Sequence, residues 1–164
     1  MDVTTLLANL KATRDETLAC YELSDRELSQ TYGRGKWPVR YILHHLADSE
    51  TVFYDRICRV LSEPRQVLWV YDQAAWASGV DYAKKPLSLA RPVYESLRSA
   101  NAYSVETRYE SDGHREFVHS VTGVRTLEEE MNKIAAHNAH HLAQIRTALG
   151  RQGGARLDRL RHDI

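Results

Sequence analysis

Five of the eight histidines of this chain fall in two short stretches. His44 and His45 lie in Tyr41-Ile42-Leu43-His44-His45-Leu46-Ala47-Asp48, and His137, His140 and His141 in His137-Asn138-Ala139-His140-His141-Leu142-Ala143-Gln144-Ile145. Two imidazoles four residues apart on a helix leave from one face, a common way to hold a divalent metal. His137 and His141 form such a pair, and the earlier stretch offers a third nitrogen. Three protein ligands leave a coordination position open, which is the arrangement of a catalytic metal. Imidazole suits zinc, nickel, iron and copper alike, so the ligand type does not choose the ion. The residue after His137 is Asn138, so the H-E-x-x-H motif with its built-in base is missing.

Other chemistry has less to stand on. Neither Cys20 nor Cys58 sits beside a recognisable activating base, and no G-x-S-x-G, P-loop or dinucleotide glycine pattern occurs. Acid–base groups that a bundle could carry to a metal are Asp48, Ser49, Glu50, Tyr71, Asp72 and His119. Glu50 and Asp72, with Gln144 one turn beyond His141, are the candidates for a catalytic role.

The histidines need helices to aim them, and the apolar periodicity supplies four. Residues 4–22 carry Leu6, Leu7, Leu10, Leu18 and Tyr21 at three- and four-residue spacing. A loop follows to Gly35, holding one short turn around Glu27. The second helix starts at Lys36-Trp37-Pro38, with Pro38 suited to the first helical position. It runs to about Ser62, where Pro64 stops it, on a stripe of Ile42, Leu46, Ser49, Phe53, Ile57 and Val60.

Residues 65–86 form a crossover too long for a hinge. Val67-Leu68-Trp69-Val70-Tyr71 is extended in character, and Asp72-Gln73-Ala74-Ala75-Trp76 suits a helical turn. The crossover is expected to seal one end of the core, or else to line a ligand pocket. A third helix over residues 87–109 is assigned the stripe Leu89, Val93, Leu97, Ala100, Tyr103 and Ser104, with Pro92 in its first turn or kinking it. Residues 114–124 make a small extended excursion. Thr126-Leu127-Glu128-Glu129 is a capping box opening the fourth helix, which reaches about Gly150 along Leu127, Met131, Ile134, Asn138, Leu142, Ile145 and Leu149.

Rotation at about 100° per residue sorts the histidines. His45 falls about 70° from the centre of its stripe and His44 nearly opposite, toward solvent; His141 falls about 50° off, His137 about 90° on the same side, and His140 about 150° away. His45, His137 and His141 therefore reach bundle flanks, while His44 and His140 point outward. Half-buried, hydrogen-bonded histidines would occupy the same flanks, so the pattern alone leaves metal binding and packing both open.

The whole chain sets the frame. Its 164 residues suit one domain, taken as residues 1–150, with residues 151–164 as a tail. Net charge is zero, with 22 basic and 22 acidic residues, which gives no basis for a nucleic-acid partner. No apolar run approaches the ~20 residues of a membrane span. Two widely separated cysteines and an N-terminus without a signal-type apolar run predict a cytoplasmic protein.

Four segments in order, Lys36 to Ser49, Tyr71 to Trp76, Phe117 to Gly123 and His137 to Ile145, resemble the DinB/YfiT-like superfamily, the YfiT branch most closely. The resemblance implies an all-α four-helix bundle of up-down-down-up topology, with a long crossover between the second and third helices. It implies a divalent metal, zinc first and nickel next, held by His45, His137 and His141. It also implies an enzyme in which the metal activates water, as in a hydrolase, or a low-molecular-weight thiol of the bacillithiol or mycothiol type, as in an S-transferase, for attack on a small electrophile. A homodimer goes with it. The reading from another class is a non-catalytic metal-binding or stress-related bundle protein. Three positions depart from the pattern: Glu50 stands where a further His is expected, Ser120-Val121 where Pro-Glu is expected, and Pro38 where Ser is usual.

Overall fold

The computed structural model describes residues 1–63 and 66–151. Four long helices, α1 (Val3–Cys20), α3 (Val39–Ser62), α5 (Leu87–Asp112) and α6 (Leu127–Ala148), form the bundle. Two short helices, α2 (Asp25–Leu28) and α4 (Gln73–Gly79), sit in the connections, with strands β1 (Val67–Leu68), β2 (Glu116–His119) and β3 (Gly123–Thr126). Each of α1 and α3 packs between α5 and α6, giving a four-helix bundle of up-down-down-up order. The expected helix stop at Pro64, the first residue of the crossover and the tail beyond Arg151 lie outside the described residues.

Local chemistry sets the helix starts. Asp2 caps α1 by accepting from Thr5 N, and Ser24 with Glu27 forms a capping box for α2. The predicted box at α6 is present: Thr126 Oγ1 accepts from Glu129 N at 3.3 Å, and Glu129 Oε2 accepts from Thr126 N at 2.9 Å. Pro38 differs slightly from expectation. It precedes the first helical residue, and its carbonyl accepts from Tyr41 N and Ile42 N.

The third helix shows a larger difference. The stripe assigned to it is largely outward: Leu89, Val93 and Tyr103 are exposed. The buried face is Leu87, Ala90, Tyr94, Arg98, Asn101, Val105, Tyr109 and Asp112. Hydropathy misplaced the face because its middle is polar, and those polar groups find partners only on other helices. Pro92 lies inside the helix, past its first turn, and both Pro92 and Ser88, whose carbonyl it leaves without a helical donor, are exposed.

The core is two apolar clusters with a polar layer between. One gathers Leu6, Phe53, Ile57, Val105, Leu127, Met131 and Ile134; the other gathers Val39, Ile42, Leu43, Leu46, Ala90, Leu142 and Ile145. Between them every long helix contributes polar residues: Thr17 from α1, Asp48 to Glu50 from α3, Arg98 and Asn101 from α5, and His137, Asn138 and His141 from α6.

The excursion after α5 is a hairpin, and β1 of the crossover pairs with it in parallel, giving the order β1-β2-β3. Gly123, at φ 77, takes the left-handed conformation the hairpin turn requires. Ser120 N donates to Leu68 O at 2.9 Å, and Val70 N to Ser120 Oγ at 2.8 Å. These bonds fix the chain immediately before Tyr71, and hence the approach of the crossover to α3.

Candidate metal centre

The polar layer puts the three flank histidines together. His45 from α3 meets His137 and His141 from α6, and one nitrogen from each lies within 4.8 Å of the others. His45 Nε2 is 3.0 Å from His137 Nε2, and His141 Nε2 is 3.1 Å from the same atom. Nitrogens bound to one ion at about 2.0–2.1 Å, with ligand angles between octahedral and tetrahedral values, stand roughly 2.8–3.4 Å apart. The donor set and its spacing therefore fit a divalent metal held by three imidazoles.

Each ring is oriented from behind. The His45 ring stacks on Tyr71 with centroids 5.7 Å apart and planes 6° apart, and its Nδ1 is 3.3 Å from Tyr71 Oη. Trp37 meets the same ring edge-on at 5.5 Å. His141 Nδ1 is 2.8 Å from Gln144 Oε1, and Gln144 Nε2 is 2.9 Å from His140 Nε2. Phe53 packs against His137 at 5.9 Å. Where a ligating nitrogen is Nε2, the Nδ1–H goes to an acceptor, and Tyr71 and Gln144 stand where that acceptor is needed. Burial and the neighbouring imidazoles of His141 and His45 hold His137 well below the usual histidine range, in the neutral form that has a lone pair to give.

The predicted outward orientation of His44 is overturned. It is fully buried, its Nε2 is 3.1 Å from Lys85 O, and it stacks on Tyr82 at 5.1 Å. Burial, then Lys85, lowers its pKa to about 4. Helical rotation had assumed one buried face, whereas nine consecutive residues, from Ile42 to Glu50, are buried. The crossover covers the face that would otherwise meet solvent. His140 is half-buried, and it backs the site through Gln144 instead of pointing clear of it.

The catalytic candidates separate. Gln144 touches the histidine cluster as a partner of His141. Glu50 is buried in the polar layer, where Arg98 Nη2 donates to its Oε1 at 2.5 Å and Asn101 Nδ2 to its Oε2 at 2.8 Å. Asp72 is exposed and caps α4, accepting from Ala74 N and Ala75 N. His119 is buried beside Arg56, its Nδ1 accepting from Val121 N and Thr122 N. Burial, then Arg56, lowers its pKa.

Sequence reasoning missed the roles of Tyr82 and Asn138. Tyr82 Oη donates to Asp48 Oδ2 at 2.5 Å, and Lys85 Nζ lies 3.4 Å from Asp48 Oδ1. Burial raises the pKa values of Tyr71 and Tyr82 far above the usual tyrosine range, so both hydroxyls keep their protons. Asn138, between His137 and His141 on α6, accepts from Tyr94 Oη and Arg98 Nη2, both at 2.7 Å, and donates to Thr17 Oγ1 at 3.0 Å. Periodicity places Asn138 in an apolar stripe and carries no sign of these partners. Tyr71 also lines an open cavity of about 560 Å³ with Trp69, Trp76, Val52, Arg56 and Arg59, so the crossover both seals core and shapes a pocket.

An all-helical bundle whose mid-height polar layer gathers three imidazoles from facing helices is the architecture of a bundle metalloprotein. The chain belongs to the DinB superfamily, whose family model matches residues 9–145. It is 31% identical over 133 residues to a protein of Oceanobacillus iheyensis named "Putative metal-dependent hydrolase", covering 81% of this chain and 76% of that protein. The similarly named YfiT of Bacillus subtilis is 31% identical over 133 residues, covering 80% of this chain and 74% of YfiT. Among solved structures, YfiT from Bacillus subtilis, described as a probable metal-dependent hydrolase with an unusual four-helix bundle topology, superposes with a TM-score of 0.82 at 26% identity, covering 91% of this chain and 86% of that one.

Proposed function

We propose that this protein is a metal-dependent hydrolase in which His45, His137 and His141 hold a divalent ion, zinc in preference to nickel, through their Nε2 atoms. The observation that carries this reading is the convergence of three nitrogens at 3.0 and 3.1 Å from two helices far apart in sequence. The names of the relatives agree with it. A divalent ion in a three-nitrogen site supplies Lewis acidity, which makes a nucleophile of water, or of a small thiol, near neutral pH.

The chain's own residues prepare the site for that use. Tyr71 and Gln144 orient two of the rings, and burial keeps His137 neutral. Trp37, Phe53 and Tyr71 surround the histidines with apolar ring surface, which strengthens electrostatic interactions within the site. Glu50 and Asp72, each engaged elsewhere, are not assigned a part in the reaction.

Metal analysis of the purified protein beside His45→Ala, His137→Ala and His141→Ala tests the ligand set. One equivalent of metal is expected in the native protein, with loss in each variant. A native protein with no stoichiometric metal, or variants that keep it, would refute the assignment. Ester and amide panels, run with and without an added low-molecular-weight thiol, test the reaction class. Turnover by water alone supports hydrolysis; turnover only with thiol identifies an S-transferase; and rates equal to those of the triple-alanine variant favour a non-catalytic metal protein.

A further inference from the structure

Three imidazoles do not by themselves hold the helices beneath them at a fixed spacing. Neutral rings that turn their lone pairs to one point do not attract one another, and a shift of about 1 Å between the helices would take the nitrogens out of the range that suits one ion. The spacing of α3 and α6 must therefore be set by groups outside the rings. At the height of the histidines the two apolar clusters give way to the polar layer, and one side chain of that layer reaches every long helix. Arg98 of α5 donates through Nη2 to Glu50 Oε1 on α3 at 2.5 Å and to Asn138 Oδ1 on α6 at 2.7 Å, and through Nη1 to Thr13 Oγ1 on α1 at 3.0 Å. One nitrogen thus keeps two oxygens, one from each histidine-bearing helix, within about 5 Å of each other. Asn138 follows His137 directly, and Glu50 lies little more than one helical turn beyond His45.

Both oxygens are held from other sides as well. Glu50 Oε2 accepts from Asn101 Nδ2 at 2.8 Å, while Asn138 accepts from Tyr94 Oη at 2.7 Å and donates to Thr17 Oγ1 at 3.0 Å. Neither acceptor can swing to follow a displaced guanidinium, so the bonds to Arg98 constrain the helices themselves. Stability is a weak reason for such a group. Arg98 is 1% exposed, its Nε has no partner among the described residues, and apolar side chains of similar volume commonly stabilise a core as well as a buried ion pair does. A guanidinium supplies what apolar packing lacks, a rigid plane whose N–H bonds leave at fixed angles.

We propose that Arg98 is a positioning residue for the metal centre, which by joining Glu50 of α3 to Asn138 of α6 sets the spacing at which the nitrogens of His45, His137 and His141 converge. The proposal rests on the metal reading above. It separates the two effects of Arg98: the ion pair with Glu50 is replaceable as a source of stability, and the tie between the ligand-bearing helices is not.

The test compares native protein, Arg98→Met/Glu50→Leu, Asn138→Ala and His45→Ala, each as the full chain. Urea unfolding with a chelator present measures the metal-free fold, and competition with a chromogenic chelator measures zinc affinity. The visible absorption of the cobalt(II)-loaded protein reports ligand geometry. The double variant buries no charge at these positions and should unfold near the native midpoint, yet bind zinc about 10-fold more weakly or worse and show shifted cobalt bands. Asn138→Ala leaves the ion pair whole and removes the α6 end of the tie, so it should show the same loss and the same spectral shift.

Native zinc affinity and native cobalt bands in the folded double variant would confine Arg98 to the fold and overturn the proposal. The same result in Asn138→Ala decides the matter if the double variant does not fold, and failure of both to fold also overturns it. In each of these cases a loss of zinc binding in His45→Ala leaves the metal reading standing. Equal zinc binding by native protein and His45→Ala refutes the metal reading and the proposal with it.

Discussion

Removing one member of the buried Arg98–Glu50 pair should unfold this protein more readily than any single exposed substitution, and removing both should restore most of the loss. Arg98 is 1% exposed and Glu50 likewise 1%. Besides Glu50, Arg98 donates to Asn138 Oδ1 at 2.7 Å and Thr13 Oγ1 at 3.0 Å. In Arg98→Met the Glu50 carboxylate keeps only Asn101 as a side-chain donor and stays out of water. A buried charge stripped of its partner costs about 3–5 kcal/mol. For a chain of this size that lowers the melting temperature by roughly 6–20 °C, at about 2–4 °C per kcal/mol. In Arg98→Met/Glu50→Leu neither charge is buried, and replacing such a pair with apolar residues is close to neutral. Asn138 still has Tyr94 and Thr17 in the double variant. Urea unfolding of the native, single and double variants, with a chelator present throughout, gives the coupling directly. A single-variant loss under about 1 kcal/mol, the level of an exposed pair, would refute the reasoning. A double-variant loss equal to the sum of the singles would do so equally.

Three further outcomes are expected. Thr126→Ala should cost about 1 kcal/mol by opening the α6 capping box, and Thr126→Ser should restore it; equal stability of all three proteins in urea would deny the cap a role. Cys20 is buried and burial pushes its thiol up to about 11, whereas Cys58 is half-exposed, so a maleimide at neutral pH should label one thiol per chain and none in Cys58→Ser. The His119 pKa is lowered in the folded state, so the unfolded chain binds the extra proton as pH drops below about 6.5; its contribution to stability is full above that pH and is lost below it. His119→Asn keeps an acceptor for the backbone amides but cannot titrate, and its stability should fall less steeply than native between pH 7 and 5; identical slopes would show that His119 does not contribute.

The folded arrangement of α3 and α6 was largely legible in the sequence, because both helices bury an apolar stripe that ordinary periodicity reveals. The α6 start was equally plain, since a capping box is local chemistry needing no partner beyond three residues. For α5 the same method chose Leu89, Val93 and Tyr103, all exposed. The reason is physical: Tyr94, Arg98 and Asn101 are buried because Glu50 and Asn138 receive their hydrogen bonds, and no hydropathy pattern records a partner more than thirty residues away.

What the sequence determined by itself was which three histidines share the facing flanks. Spacing of four on one helix aligns His137 with His141, and rotation from an apolar stripe brings His45 to the facing flank. Only the tertiary structure decided how those rings are held. The pairing of β1 with β2 joins chain segments about fifty residues apart, and that pairing fixes the approach of Tyr71 to His45. The same closure buries His44 under Tyr82 and brings Tyr82 to Asp48. Helical periodicity assigns a residue to a face from its neighbours along one helix, and it has no access to what a distant loop lays over the opposite face.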